Sequence, residues 1–131
     1  VIVLDTHTLI WWVNGDKQLS TNAKKAIESE LPDGQVFVSS ISAWEIAMLV
    51  SKGRLALTMD IDDWLDTVSA IDGISFVPVT TDVAVQSVRL PGEFHSDPAD
   101  RIIVALARHR SVSLVTADTK IREYRHVKTI W

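Results

Sequence analysis

Five short runs rich in Val and Ile, at Val1–Leu4, Gln35–Val38, Ile74–Val77, Ser113–Val115 and Val127–Ile130, are separated by stretches of helical periodicity. This alternation constrains the chain more than any other feature. Continuous apolar runs of this length read as strands buried on both faces. A strand that must pair in parallel with the next needs a crossover, and a helix supplies one. The expectation is an α/β fold made of βαβ units, with a mostly parallel sheet covered by helices on both sides.

The punctuation between the runs supports this reading. Thr6–Val13 is a short helix stopped at Asn14-Gly15. Ser20 caps a helix over Thr21–Leu31, which ends at Pro32-Asp33-Gly34. Ser39 and Ser40 offer caps for Ile41–Lys52, with Gly53 as its terminator, and Asp60 opens a helix reaching about Ala70. Thr81–Val88 is another helix, and Pro91–Ser96 is a polar loop. Asp97 then caps a helix with Pro98 in its first position and a core stripe of Ile102, Ile103, Leu106 and Ala107, lasting to about Arg110. Ala117–Tyr124 is a loop with a helical turn.

Without repeats or linkers, 131 residues are expected to form one domain, 1–131, and 47% hydrophobic content is enough for a core without a covalent staple. The absence of cysteine excludes a disulfide scaffold and thiolate zinc sites. No apolar run reaches membrane-spanning length, and the N-terminal run lacks the flanks of a signal peptide, so a cytoplasmic protein is expected. The net charge of −4 argues against a general nucleic-acid coat. The charge is unevenly spread: residues 1–100 carry 6 Lys and Arg against 15 Asp and Glu, residues 101–131 carry 7 against 2. An acidic body with a basic tail suits a metal site beside a phosphate-binding surface, although a solvated helix face would look the same.

Ligand sites in parallel sheets form beyond the carboxyl ends of the strands. Asp5 directly follows the first strand and Asp118 follows the fourth through Thr116-Ala117. Glu45 lies in the early turns of the helix entered from the second strand, and Asp100 in the first turn of the helix capped at Asp97. Each acid has a plain structural alternative as a cap, turn or surface residue. Four acids distant in sequence that meet at one sheet edge are harder to explain that way. Clustered carboxylates stay ionised together only if a cation offsets them. The four histidines have no zinc-type spacing, so an all-oxygen site points to Mg²⁺ or Mn²⁺, ions suited to phosphoryl displacement. Asp97 is read as a cap, Thr116 and Ser40 as turn, cap or ligand-orienting hydroxyls, Trp44 and Trp64 as core or interface aromatics, and His95 as a loop residue. No Gly-rich phosphate loop, GxSxG or Cys–His pair is present.

At these same residues the chain resembles the PIN-domain family, in particular the VapC-type toxins of bacterial toxin–antitoxin systems. The resemblance runs through VIVLDTHTLIWWV, SSISAWEI, HSDPADRIIVALA and SLVTAD and covers essentially the whole chain. It implies a three-layer α/β/α sandwich and a homodimer that cleaves RNA with Mg²⁺ or Mn²⁺ held by Asp5, Glu45, Asp100 and Asp118. It also implies an antitoxin partner that pushes a basic side chain into the acidic pocket, with Arg101 and the C-terminal basic residues on the RNA backbone. Arg101 is alternatively the partner of a neighbouring acid. Competing readings are an RNA-processing nuclease without an antitoxin and a non-catalytic module of the same fold. A phosphatase or phosphotransfer domain would want a second Asp where His7 stands.

Overall fold

A computed structural model describes residues 1–131. Along the chain run β1 (Ile2–Leu4), α1 (Thr6–Asn14), α2 (Thr21–Glu30), a 3-10 turn (Leu31–Asp33), β2 (Val36–Ser39), α3 (Ser40–Ser51) and α4 (Ile61–Ser69). They are followed by β3 (Ile74–Val77), α5 (Thr81–Val88), α6 (Pro98–Arg110), β4 (Ser113–Val115), α7 (Thr119–Glu123) and β5 (Thr129–Ile130). The five strands form one sheet in the order β3-β2-β1-β4-β5, and every pairing is parallel.

The alternation of strand side chains builds a separate core on each face. Ile2, Leu4, Val36, Val38 and Val115 point to one face, where Leu9, Ile27, Ile46, Trp64 and Val68 of α1–α4 cover them. Val3 and Leu114 point to the other, against Val83 of α5 and Ile103, Val104 and Leu106 of α6. The result is the expected three-layer α/β/α sandwich. Truncating a fully buried side chain such as Ile46 or Ile103 to Ala would cost about 2–5 kcal/mol. No helix is long and apolar enough to cross a membrane.

Most helix ends follow the local signals. Ser20, Ser39, Asp60, Thr80 and Asp97 each cap with their side chains, and Gly15 and Gly53 adopt left-handed backbone where α1 and α3 stop. Ser40 is the first residue of α3 rather than its cap, and its hydroxyl donates to the Val77 carbonyl at 3.0 Å. Gly73 answers a long-range demand. A Cβ there would come within 2.3 Å of the Leu31 carbonyl oxygen, so only glycine lets the turn into β3 pass the end of α2.

Strand order decides where a site can form. The chain steps outward from β1 through β2 to β3, then returns to the opposite side of β1 as β4. The crevice between the carboxyl ends of β1 and β4 is therefore the topological switch point of the sheet. Asp5 leaves one wall of it, and Thr116, Ala117 and Asp118 leave the other.

Candidate active site

The switch point opens into a pocket of about 420 Å³ lined by Asp5, Thr6, His7, Trp11, Glu45, Asp97, Asp100, Ala117 and Asp118. All four acids expected to meet do so, and Asp97 joins them. The lining thus contains five carboxylates and neither Lys nor Arg.

Four of the five carboxylates are held by a nearby donor, Asp100 being the exception. Asp5 is buried and caps α1, its Oδ1 accepting from the Thr8 amide at 2.9 Å and its Oδ2 from the Thr116 hydroxyl. Burial pushes the Asp5 carboxyl up, opposed by these bonds from Thr116 and Thr8. Thr116, itself fully buried, also accepts from the Asp118 amide at 3.0 Å, so one hydroxyl ties the end of β4 to the end of β1. Asp118 caps α7 through the Ile121 amide at 3.1 Å.

Glu45 is oriented by a second hydroxyl relay. Thr6 Oγ1 lies 2.5 Å from Glu45 Oε1 and 2.9 Å from the Ser42 hydroxyl. A hydroxyl has one proton, and an ionised carboxylate can only accept, so Thr6 donates to Glu45 while Ser42 donates to Thr6. Reading the sequence alone missed Thr6 and Ser42. A signal existed for Ser42, because it precedes Glu45 by three residues and so shares its helix face.

Asp100 sits one turn into α6, and its amide donates to Asp97 Oδ1 at 3.0 Å. Asp97 is thus a cap, as expected, and a pocket wall as well. Burial, and after it the charges of Asp97, Asp118, Glu45 and Asp5, push the Asp100 carboxyl up to about 7. His95 borders this carboxylate, its Nε2 lying 3.1 Å from Asp100 Oδ2 but out of line for a hydrogen bond.

Such a lining fits a hard divalent cation. Its five acids offer hard carboxylate oxygens, thiolates are absent, His7 is the one imidazole in the lining, and the repulsion that the other acids exert on the Asp100 carboxyl is what a bound cation would relieve. The acids share a wall, although no three converge into a closed coordination cage.

Arg101 makes no ion pair with a neighbouring acid. Its guanidinium donates to the carbonyls of Ser87 at 2.8 Å, Phe94 at 3.0 Å, His95 at 3.2 Å and Val88 at 3.4 Å. It holds the α5–α6 loop against α6, and four of its five N–H donors go to backbone. Nothing in the order of residues indicates this, since the four carbonyls gather only when the loop folds back. Trp64 is a core aromatic, whereas Trp44, adjacent to Glu45, is 56% exposed.

Comparison with known proteins places this geometry among relatives. The PIN domain family model matches residues 2–127. Ribonuclease VapC22 of Mycobacterium tuberculosis is 35% identical over 132 aligned positions, 99% of this chain and 98% of that protein. A chain of a toxin–antitoxin complex from Klebsiella pneumoniae is similar with a TM-score of 0.66 and 25% identity, over 97% of this chain and 95% of that one. VapC20 of M. tuberculosis, a sarcin–ricin loop cleaving toxin, is similar with a TM-score of 0.64 and 18% identity, over 98% and 99% of the two chains.

Proposed function

The chain belongs to the PIN domain family, and from that membership we propose that residues 1–131 form one nuclease domain, a metal-dependent ribonuclease that serves as the toxin of a toxin–antitoxin pair in the cytoplasm. One observation carries the catalytic part of this reading: five carboxylates, uncompensated by any Lys or Arg, line one pocket at the switch point of a parallel sheet. The ribonuclease activity named for VapC22 supports the choice of substrate class, and the toxin–antitoxin complexes among the similar structures support the partner.

Asp5, Glu45, Asp100 and Asp118 are the proposed ligands of Mg²⁺ or Mn²⁺. When bound, that ion would acidify an attacking water and stabilise charge building on the phosphoryl oxygens. The chain's own contribution is preorganisation. Thr116 and the Thr8 amide orient Asp5, the Ser42–Thr6 relay orients Glu45, and the α7 cap fixes Asp118. The apolar walls of both cores keep these groups at fixed spacing. Val88, 78% exposed on α5 with Val85 beside it, supports an apolar contact for the homodimer.

The test is cleavage of labelled single-stranded and structured RNA by the purified chain with Mg²⁺, Mn²⁺ or EDTA. Phosphodiester cleavage that appears with either ion and stops on chelation is expected. Undiminished cleavage in EDTA, with no metal detectable in the protein, would remove the metal-dependent mechanism.

A further inference from the structure

Across His95 from the carboxylates lies a second and larger cleft, of about 540 Å³. One wall is the α5–α6 loop at Gly92–His95, and the other is α7 with the turn that follows it, from Lys120 to His126. The two clefts share a partition one side chain thick, because His95 lines the second cleft while its Nε2 touches Asp100 of the first.

The chemistry of the second cleft differs from that of the first. Four rings follow one another along it, with centroids 4.4 Å apart for Phe94 and His95, 4.7 Å for Phe94 and Tyr124, and 5.3 Å for Tyr124 and His126. Tyr124 is buried and its hydroxyl donates to the Pro91 carbonyl, so the ring is pinned, whereas Phe94 and His126 are half-buried. Around the rings stand Glu93, Glu123, Lys120 and Arg125, all exposed. None of the four forms a salt bridge, so all are uncommitted. Arg101 clamps the carbonyls of Phe94 and His95, so the loop wall is set before any ligand arrives.

No three of its acids and imidazoles converge where a metal ion could sit, Lys120 and Arg125 would repel one, and an apolar segment does not fit four unpaired charges. A flat ring with hydrogen-bonding edges, joined to a phosphate, matches every part. We propose that this cleft binds one unstacked nucleotide of the RNA strand that crosses the carboxylate pocket, an inference that rests on the ribonuclease reading above. The base packs against Phe94 and His126, as exposed bases do on aromatic side chains. Lys120 and Arg125 meet the phosphate. Glu93 and Glu123 can only accept, so they favour bases that present an amino group, adenine, cytosine and guanine, over uracil.

Two measurements on the full chain test this. The first needs no cleavage: amide NMR spectra are followed during titration with each of the four nucleoside monophosphates. Shifts are expected at Gly92–His95 and Tyr124–His126, weakest for UMP, with affinity reduced at least fivefold by Phe94→Leu and by Glu123→Gln. Leucine keeps apolar packing at a half-buried site, and Glu123 is exposed, so both variants are expected to fold, as their spectra would show. The second measurement is cleavage of oligonucleotides in which each nucleotide near the scissile bond is replaced in turn by an abasic residue. One position should lose roughly tenfold in kcat/KM with the wild type and much less with Phe94→Leu. RNA cleaved normally while monophosphates leave the cleft amides unmoved, or move them equally in both variants, would overturn the proposal and leave the ribonuclease reading standing. Monophosphates bound in the cleft by a chain that cleaves no RNA would retain the nucleotide site and overturn the ribonuclease reading.

Discussion

Asp97 and Asp100 lie three residues apart at the start of one helix, yet they do different work. Asp97 is exposed and spends Oδ1 on the Asp100 amide, while Asp100 turns its carboxyl toward three other acids. Asp100→Asn and Asp5→Asn keep shape but remove charge. Each is expected to lower RNA cleavage by orders of magnitude while circular dichroism stays native. Asp97→Asn retains a good cap and should be milder. Equal losses at 97 and 100 would reverse the assignment. The raised Asp100 carboxyl also predicts a pH dependence of stability. The unfolded chain releases this proton near 3.8 and the folded chain near 7, so between those values the folded state binds more protons. Stability of the metal-free protein therefore falls as pH rises from about 4 to about 7 and levels off above. For a side chain one-fifth exposed, solvent screening reduces the effect to about 1–2 kcal/mol. Urea unfolding across this range should show the decline, and Asp100→Asn should flatten it and be the more stable protein at pH 8. Divalent metal should restore wild-type stability in proportion to its binding.

At the scale of elements, Arg101 matters more than its place among the basic residues suggests. One side chain of α6 closes the loop that joins it to α5, by four donations to backbone carbonyls. Arg101→Met should leave these acceptors unpaired, cost about 2–3 kcal/mol and open residues 88–96 to amide exchange. Arg101→Lys should rescue poorly, since a single ammonium cannot span both ends of the loop. The salt dependence of RNA binding should not change, because no phosphate contact is lost. A shallower salt slope in Arg101→Met would return Arg101 to the RNA backbone.

The whole molecule presents an acidic pocket lined in part by half-buried Trp11 of α1, and an exposed Trp44 that precedes Glu45 on α3. A guanidinium matches carboxylates in bidentate fashion and would compete with a cation for them. An amphipathic partner segment could cover Trp44 while placing an Arg among Asp5, Glu45 and Asp100. Co-expression with a neighbouring small open reading frame is expected to yield a complex silent in RNA cleavage, and replacing that Arg by Ala should restore activity. A stable complex that cleaves at the rate of the free chain would argue against occlusion.

What the sequence determined by itself is what short-range forces decide. Strand runs, the Ser20 and Asp97 caps and the Gly15 and Gly53 stops are set by neighbours a few residues away, and they agree with the structure. The meeting of Asp5, Glu45, Asp100 and Asp118 was also legible, because parallel βαβ connectivity sends every strand's carboxyl end to the same edge. Only tertiary structure decided the rest. The order of strands made β1 and β4 neighbours and so put Thr116 against Asp5. The fold-back of the α5–α6 loop gave Arg101 its carbonyls and brought Phe94 to Tyr124. These contacts join residues whose separation in the chain carries no period, and hydrogen bonds and ring packing act only over a few ångströms, so nothing local announces them.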